Sequence, residues 1–282
     1  MQKMTSLKTS STNLKTMKTE YCDIGLNLFS SQFKDPGEIL RGAHEAGVQV
    51  IITGSDMKSS EAAARFVTSH DCYATAGIHP HGAGRAQERD FARLRELYKE
   101  ERVVAVGECG LDYDRMFSEK ADQLRCLERH IALAEETGLP MFLHEREAHG
   151  DLVSMFSEHK ELCARSVVHC FTGGREVLEK YLDMGFYIGV TGWICDDRRA
   201  QALREAVRLI PLDRIMAETD APYLIPRNIK GLGRVNLPQY VKYVAAALAE
   251  YMDTDPDELR ACLLRNTARF FGIGALTDQT GA

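Results

Sequence analysis

The sequence has no uninterrupted run of the roughly 18 apolar residues that a membrane-crossing helix needs, and its first twenty residues lack the apolar core of a secretion signal. That opening stretch is rich in Ser, Thr and Lys and reads as a disordered leader. It contains no Arg, which counts against a mitochondrial presequence. None of the eight cysteines (Cys22, Cys72, Cys109, Cys126, Cys163, Cys170, Cys195 and Cys262) forms a C-x-x-C pair, so there is no zinc-ribbon or thioredoxin signature. Many thiols without a secretion signal point to a reducing, cytoplasmic setting. No strand-like run leads into G-x-G-x-x-G, and Gly231-Leu232-Gly233 has no third glycine in register, which weakens a dinucleotide-binding reading. The net charge of −6 excludes a uniformly positive coat for duplex binding but leaves room for a local basic patch.

What is present is an ordinary globular composition over 282 residues, 44% hydrophobic and 27% charged. No Pro/Gly/Ser-rich linker follows Tyr21, so one domain is expected over residues 21–273, after the leader (1–20) and before a short tail (274–282). Strand-like runs occupy residues 22–28, 48–53, 73–78, 103–108, 141–144, 166–169, 187–190 and 215–218. Helix-like stretches at 37–46, 59–69, 91–101, 119–136, 148–159, 175–184 and 198–209 separate them, and two more follow at 238–251 and 256–271. Near-continuous apolar strands alternating with helices imply an all-parallel sheet. Eight such units in a chain of this size favour a closed (β/α)8 TIM barrel, with an open doubly wound sheet as the alternative.

Four of the runs end in a residue able to bind a metal: Glu108, His144, His169 and Asp220. Taken singly, each has an ordinary structural use, as a hydrogen-bonded histidine, an ion-pair partner, a helix cap or a turn residue. Taken together, they fall at the ends of strands four, five, six and eight, on the one face where such barrels carry their chemistry. Two carboxylates buried side by side cost several kcal/mol unless a cation compensates. The set suits a divalent metal that activates water: zinc, manganese, or magnesium with extra waters, Mg²⁺ being the first expectation. Asp220, on the last strand, is placed to take a proton from that water. Cys109 and Cys170 follow two of these residues and read as small thiols near strand ends rather than ligands.

The chain resembles the TatD family of metal-dependent deoxyribonucleases, within the amidohydrolase-like metallo-dependent hydrolase barrels. The resemblance runs from about Tyr21 to Ile273. It is carried by Asp23-Ile24-Gly25-Leu26-Asn27-Leu28, Ala76-Gly77-Ile78-His79-Pro80-His81, Gly107-Glu108-Cys109-Gly110-Leu111-Asp112, Phe142-Leu143-His144, Val168-His169-Cys170-Phe171-Thr172-Gly173, Gly189-Val190-Thr191-Gly192-Trp193 and Glu218-Thr219-Asp220-Ala221-Pro222-Tyr223-Leu224. It implies a (β/α)8 barrel that hydrolyses phosphodiester bonds in DNA, as an exonuclease on single-stranded or 3′ ends, with RNA as a further substrate. It implies Glu108, His144, His169 and Asp220 as metal ligands, with Glu108 and Asp220 catalytic. Many relatives begin strand one with a His-x-His pair for a second metal, and here Gly25 and Asn27 stand at those positions. One firm metal site is expected, with a second ion arriving only with substrate phosphate; the other reading is a chain with little activity.

Around the site, His79 and His81 bracket a proline after strand three and read as contacts to a phosphate or leaving oxygen. Asn27, and Tyr223 after strand eight, are further substrate-contact candidates. The loop after strand seven joins the single tryptophan, Trp193, to Arg198 and Arg199, a grouping suited to stacking on an unpaired base and meeting its phosphate. Two other functions remain open from the residues. One is a metal-dependent hydrolase of an amide or aminoacyl ester, since the same water could attack a carbonyl; the other is a non-catalytic binding module. Neither a membrane nor an obligate protein partner is implied.

Overall fold

The structure, a computed structural model, describes residues 18–274 and 276. The expected leader, apart from residues 18–20, and most of the expected tail lie outside the described residues. Strands and helices alternate: β1 (Tyr21–Leu26), α1 (Pro36–Glu45), β2 (Val48–Ile52), α2 (Met57–Val67), β3 (Tyr73–Ala76), α3 (Glu88–Leu97), β4 (Val103–Asp112), α4 (Lys120–Thr137), β5 (Met141–Arg146), α5 (His149–Phe156), α6 (Lys160–Cys163), β6 (Ser166–Val168), α7 (Arg175–Met184), β7 (Tyr187–Val190), α8 (Gln201–Ala206), β8 (Ile215–Ala217), α9 (Val241–Met252) and α10 (Pro256–Phe271). Short 3-10 turns cover Pro80–Arg85, Gly192–Cys195, Val207–Leu209 and Pro238–Tyr240.

The eight strands pair in sequence order, and each pairing between neighbours is parallel. The seam closes where Leu26 bridges Ala221 in parallel and the Asn27 amide donates to the Ala221 carbonyl at 2.8 Å. This is the (β/α)8 barrel that the alternation implied. Strands β2, β4, β7 and β8 are buried at every position, as a sheet covered on both faces requires. Ile24, Ile51, Phe142, Val167 and Met216, drawn from five strands, form one apolar cluster with Phe270 and Phe271 of α10. The Phe142 ring lies 4.5 Å from the His169 ring, so this cluster also supports the site from beneath.

Strand β4 runs four residues past Glu108, where the sequence pattern places its end. The reason is the pairing with β5: Cys109, Gly110, Leu111 and Asp112 meet Leu143, His144, Glu145 and Arg146 after a register shift beyond Val106. Gly107 (φ +131°) and Gly110 (φ +141°) are what allows the pairing. A β-carbon at Gly107 would overlap the Phe142 carbonyl, and one at Gly110 would overlap that of His144, so the close approach needs glycine at both. The expected 148–159 helix stops at Phe156 as α5, and a separate short helix, α6, follows it at Lys160–Cys163. The expected 198–209 helix begins only at Gln201, because Asp196 accepts the Arg198 backbone N–H and holds that segment in a turn.

The loop from β2 into α2 is fixed by a reciprocal cap. Asp56 accepts from Ser59 N at 2.6 Å while the Ser59 hydroxyl accepts from Asp56 N at 3.0 Å, an arrangement that contributes about 1 kcal/mol. The loop it fixes carries Ser55 and Asp56 to the mouth of the barrel.

Candidate metal centre

The chemistry-bearing side chains meet at one oxygen. Glu108 Oε1 lies 2.9 Å from His169 Nε2, 3.1 Å from His144 Nδ1 and 3.3 Å from His79 Nε2. Four different parts of the barrel supply these groups: β4, β5, the residue after β6, and the turn after β3. The His79 end is braced from behind. The buried ring of His130, on α4, accepts the Ile78 backbone N–H at Nε2 (3.1 Å), and its Nδ1 lies 2.7 Å from the Cys126 carbonyl. His79 Nδ1 in turn accepts from His81 N at 3.1 Å, which aims Nε2 at Glu108.

A carboxylate buried to this degree would normally take up a proton. Here burial raises the Glu108 pKa, but His79 and His169 and hydrogen bonds from His144 and His169 outweigh it and hold the carboxyl well below the usual range. Burial lowers the His169 pKa, and the Glu218 and Glu108 carboxylates more than reverse this and push it well up. His144 is raised in the same sense, burial being outweighed by Asp112 and Glu108. His79 is lowered by burial, against the pull of Glu108. Asp220 is pushed up to about 7 by burial, with Glu108 and Glu218 adding to the effect and His169 and Asn27 opposing it.

The donor set fits a divalent cation. One ligand atom each from His79, Glu108 and His144 lies within 4.8 Å of the others. Bonds of about 2.1 Å would bring such atoms together with small side-chain shifts. His144 Nε2 is buried, 3.4 Å from Asp112 Oδ2, and makes no hydrogen bond, an orphaned polar atom of the kind that a cation at this site would engage. His169 touches the same Glu108 oxygen, although it is not in that three-residue set.

These groups open into a cavity of about 420 Å³. Of the residues singled out in the sequence, Asn27, His79, His81, Glu108, His144, His169, Asp220 and Tyr223 all line it. Asn27 Nδ2 donates to Asp220 Oδ1 at 2.7 Å across the β1–β8 seam. Tyr223 is 48% exposed at the mouth, with its ring free to meet a ligand. Trp193, Arg198 and Arg199 do not line the cavity. The Arg199 guanidinium sits 3.6 Å over the Trp193 ring, and Arg198, Arg199 and Arg227 all converge on the buried Asp196 carboxylate at 2.6, 3.1 and 3.4 Å. Cys109 is buried in the core. Cys170 lines the cavity, and its backbone N–H donates to Glu218 Oε1 at 2.5 Å.

Two buried carboxylates escaped the sequence reading. Asp112 takes His81 Nε2 at 2.7 Å and the backbone N–H groups of Asp114 and Arg115, at 3.0 and 2.8 Å. Those contacts fix it as the anchor of the His81 ring, and its carboxyl is held low by the neighbouring imidazoles and N–H groups even though burial raises it. Glu218, fully buried, faces His169 Nδ1 at 3.3 Å and so orients the ring whose Nε2 meets Glu108. Both residues stand inside recognisable motifs, but only the register of β4 and the barrel closure bring them to the histidines. Ser55, Asp56, Gly82 and Arg85 complete the lining and carry no signal in sequence.

Residues 22–272 match the model of the TatD related DNase family. The chain belongs to this family. A TatD protein of Erwinia amylovora, described as a 3′-5′ ssDNA/RNA exonuclease, is 42% identical over 257 residues, covering 89% of this chain and 99% of the relative. Among solved structures, the TatD homologue YjjV of Escherichia coli superposes with a TM-score of 0.83 at 28% identity, covering 92% of this chain and all of that one. A TatD family hydrolase of Entamoeba histolytica gives a TM-score of 0.79 at 26% identity over the same share of each. Membership fixes the barrel as a TatD-type hydrolase fold and agrees with the Glu-His cluster at the carboxyl ends of its strands.

Proposed function

We propose that this protein is a metal-dependent exonuclease that hydrolyses phosphodiester bonds at the 3′ ends of single-stranded DNA, and of RNA as a second substrate. The observation that supports this reading best is the convergence of three imidazoles on one ionised carboxylate oxygen at the floor of a cavity that also holds Asp220. Glu108, His144 and His169 would hold a divalent cation, with Asp220 shared between ligation and base chemistry. Mg²⁺ is the first choice, with Mn²⁺ or Zn²⁺ as alternatives. Bound there, the ion would polarise the phosphoryl oxygen and ease deprotonation of water.

The chain's own groups have separable tasks. Asp220 takes the proton of the attacking water, and the Asn27 amide turns its carboxylate toward the cavity. His81, locked by Asp112, and Arg85 face the cavity as donors for a non-bridging phosphate oxygen. Tyr223 offers its exposed ring to the terminal base. Trp193, Arg198 and Arg199 stand outside the cavity and would meet the strand beyond the scissile bond. The three arginines around Asp196 leave that corner positive.

Among the described residues no helix is long and apolar enough to cross a membrane. All eight cysteines are free thiols, on which we place the protein in the cytoplasm. The test of the function is digestion of 3′- and 5′-labelled single-stranded and duplex DNA, and of RNA, with Mg²⁺, Mn²⁺ or Zn²⁺, beside amide and ester substrates. Stepwise loss from the 3′ end of single strands supports the reading. Turnover of amides or esters with intact nucleic acid would replace it.

A further inference from the structure

We propose that the groove between α2 and α3 is the track along which the sugar-phosphate backbone of the single strand leaves the active site. This rests on the exonuclease reading above and adds the path of the undigested part of the substrate.

The groove, of about 620 Å³, begins where the cavity lining ends. Ser55 and Asp56 line the cavity, and the next two residues, Met57 and Lys58, line the groove. On the other wall Arg85 lines the cavity, and Arg89, four residues on, lines the groove. Its charge is out of keeping with a chain of net −6. Four cations, Lys58, Arg65, Arg89 and Arg93, face two carboxylates, Glu61 and Asp90.

Both carboxylates are already engaged. Glu61 pairs with Arg93 at 2.7 Å, and Asp90 accepts the Gln87 backbone N–H at 2.9 Å as a helix cap. Lys58, Arg65, Arg85 and Arg89 are exposed and make no ion pair with any described residue. An uncompensated cationic line running outward from a phosphodiester-cleaving cavity is the electrostatic footprint of a nucleic-acid backbone. A strand whose terminal nucleotide fills the cavity has to continue over the rim. This side offers it positive charge in an open groove, and it leaves the bases free of sequence-specific contact.

The test compares the wild type with the triple variant K58Q/R65Q/R89Q, in Mg²⁺, on a dinucleotide and on a 20-nucleotide single strand. Loss of at least tenfold in kcat/KM confined to the longer substrate is expected. The slope of log kcat/KM against log salt should fall by about 2, since each phosphate contact on a single strand contributes roughly 0.7. Equal loss on both substrates, or no loss on either, would overturn the proposal. If the wild type cuts neither substrate, the exonuclease reading fails by itself. The groove is then judged by fluorescence anisotropy of the labelled 20-mer on the two metal-free proteins: weaker binding by the variant upholds it and unchanged binding overturns it. Thermal melting of the variant close to that of the wild type keeps a folding defect out of the comparison.

Discussion

Gly25 faces the Glu218 carboxylate so closely that a β-carbon at Gly25 would overlap Glu218 Oε2. A histidine at this position, which the family resemblance implies for many members, would need the space that Glu218 occupies in this chain. The glycine is therefore part of the site's construction. It leaves room for a buried carboxylate that binds the Cys170 backbone N–H and faces His169.

Replacing Gly25 with Ala should accordingly displace Glu218, loosen His169 and destabilise the fold by about 1–3 kcal/mol through overpacking. In a domain of this size each kcal/mol corresponds to about 2–4 °C in melting temperature. Circular dichroism melts and nuclease assays should show both properties falling together. A variant with wild-type Tm and turnover would mean that Glu218 has somewhere else to go.

Asp220→Asn keeps the shape of the side chain and its reach to Asn27 but removes its basicity. Turnover should fall by about 10²–10⁴-fold, the usual worth of a general base, with metal affinity by calorimetry changing far less. Unchanged turnover would remove Asp220 from the proton-transfer role, and complete loss of metal binding would make it a ligand first.

His130 predicts a pH dependence of stability. Burial holds its pKa down to about 4 against the usual 6.5, and Nε2 must stay unprotonated to accept from Ile78 N. The unfolded chain takes up this proton below pH 6.5 and the folded chain only near pH 4. The contribution is therefore complete above pH 6.5 and is lost as pH falls toward 4, by about 3 kcal/mol. Urea unfolding of the wild type and His130→Gln should show a stability gap that narrows across this window. The comparison cancels groups titrating in both proteins, such as Asp23, whose pKa burial raises to about 8. A gap constant with pH would contradict the assignment.

Arg198 and Arg199 hold Asp196 and also provide the positive corner beside Trp193. Converting both to Ala should weaken single-strand binding modestly and reduce its salt dependence, with cleavage of a bound dinucleotide retained. Unaltered affinity at low salt would confine the pair to a structural part.

The barrel was legible because each strand is a short, β-rich run bounded by turn residues, and the parallel sheet buries both faces of every run. Glu108, His144, His169 and Asp220 were legible as polar groups closing apolar runs, although β4 continues past Glu108 and β5 past His144. The sequence does not reveal that β4 continues past Glu108 through Gly110, because a glycine that permits close backbone approach looks the same as one that ends a strand. That continuation carries Asp112 to His81 and His144. Glu218 was visible beside Asp220, yet its use depends on the space at Gly25, far away along the chain. His79 read as a rim contact because the turn after β3 gives no hint that His130, on α4, fixes the backbone just before it.

The account depends most on Glu108, the oxygen on which three histidines meet. End-labelled single-stranded DNA should be degraded by the wild type only with a divalent metal, and Glu108→Ala should lose at least about 100-fold in rate together with metal affinity measured by calorimetry. Equal degradation by Glu108→Ala under the same metal would contradict the metal-centred site altogether.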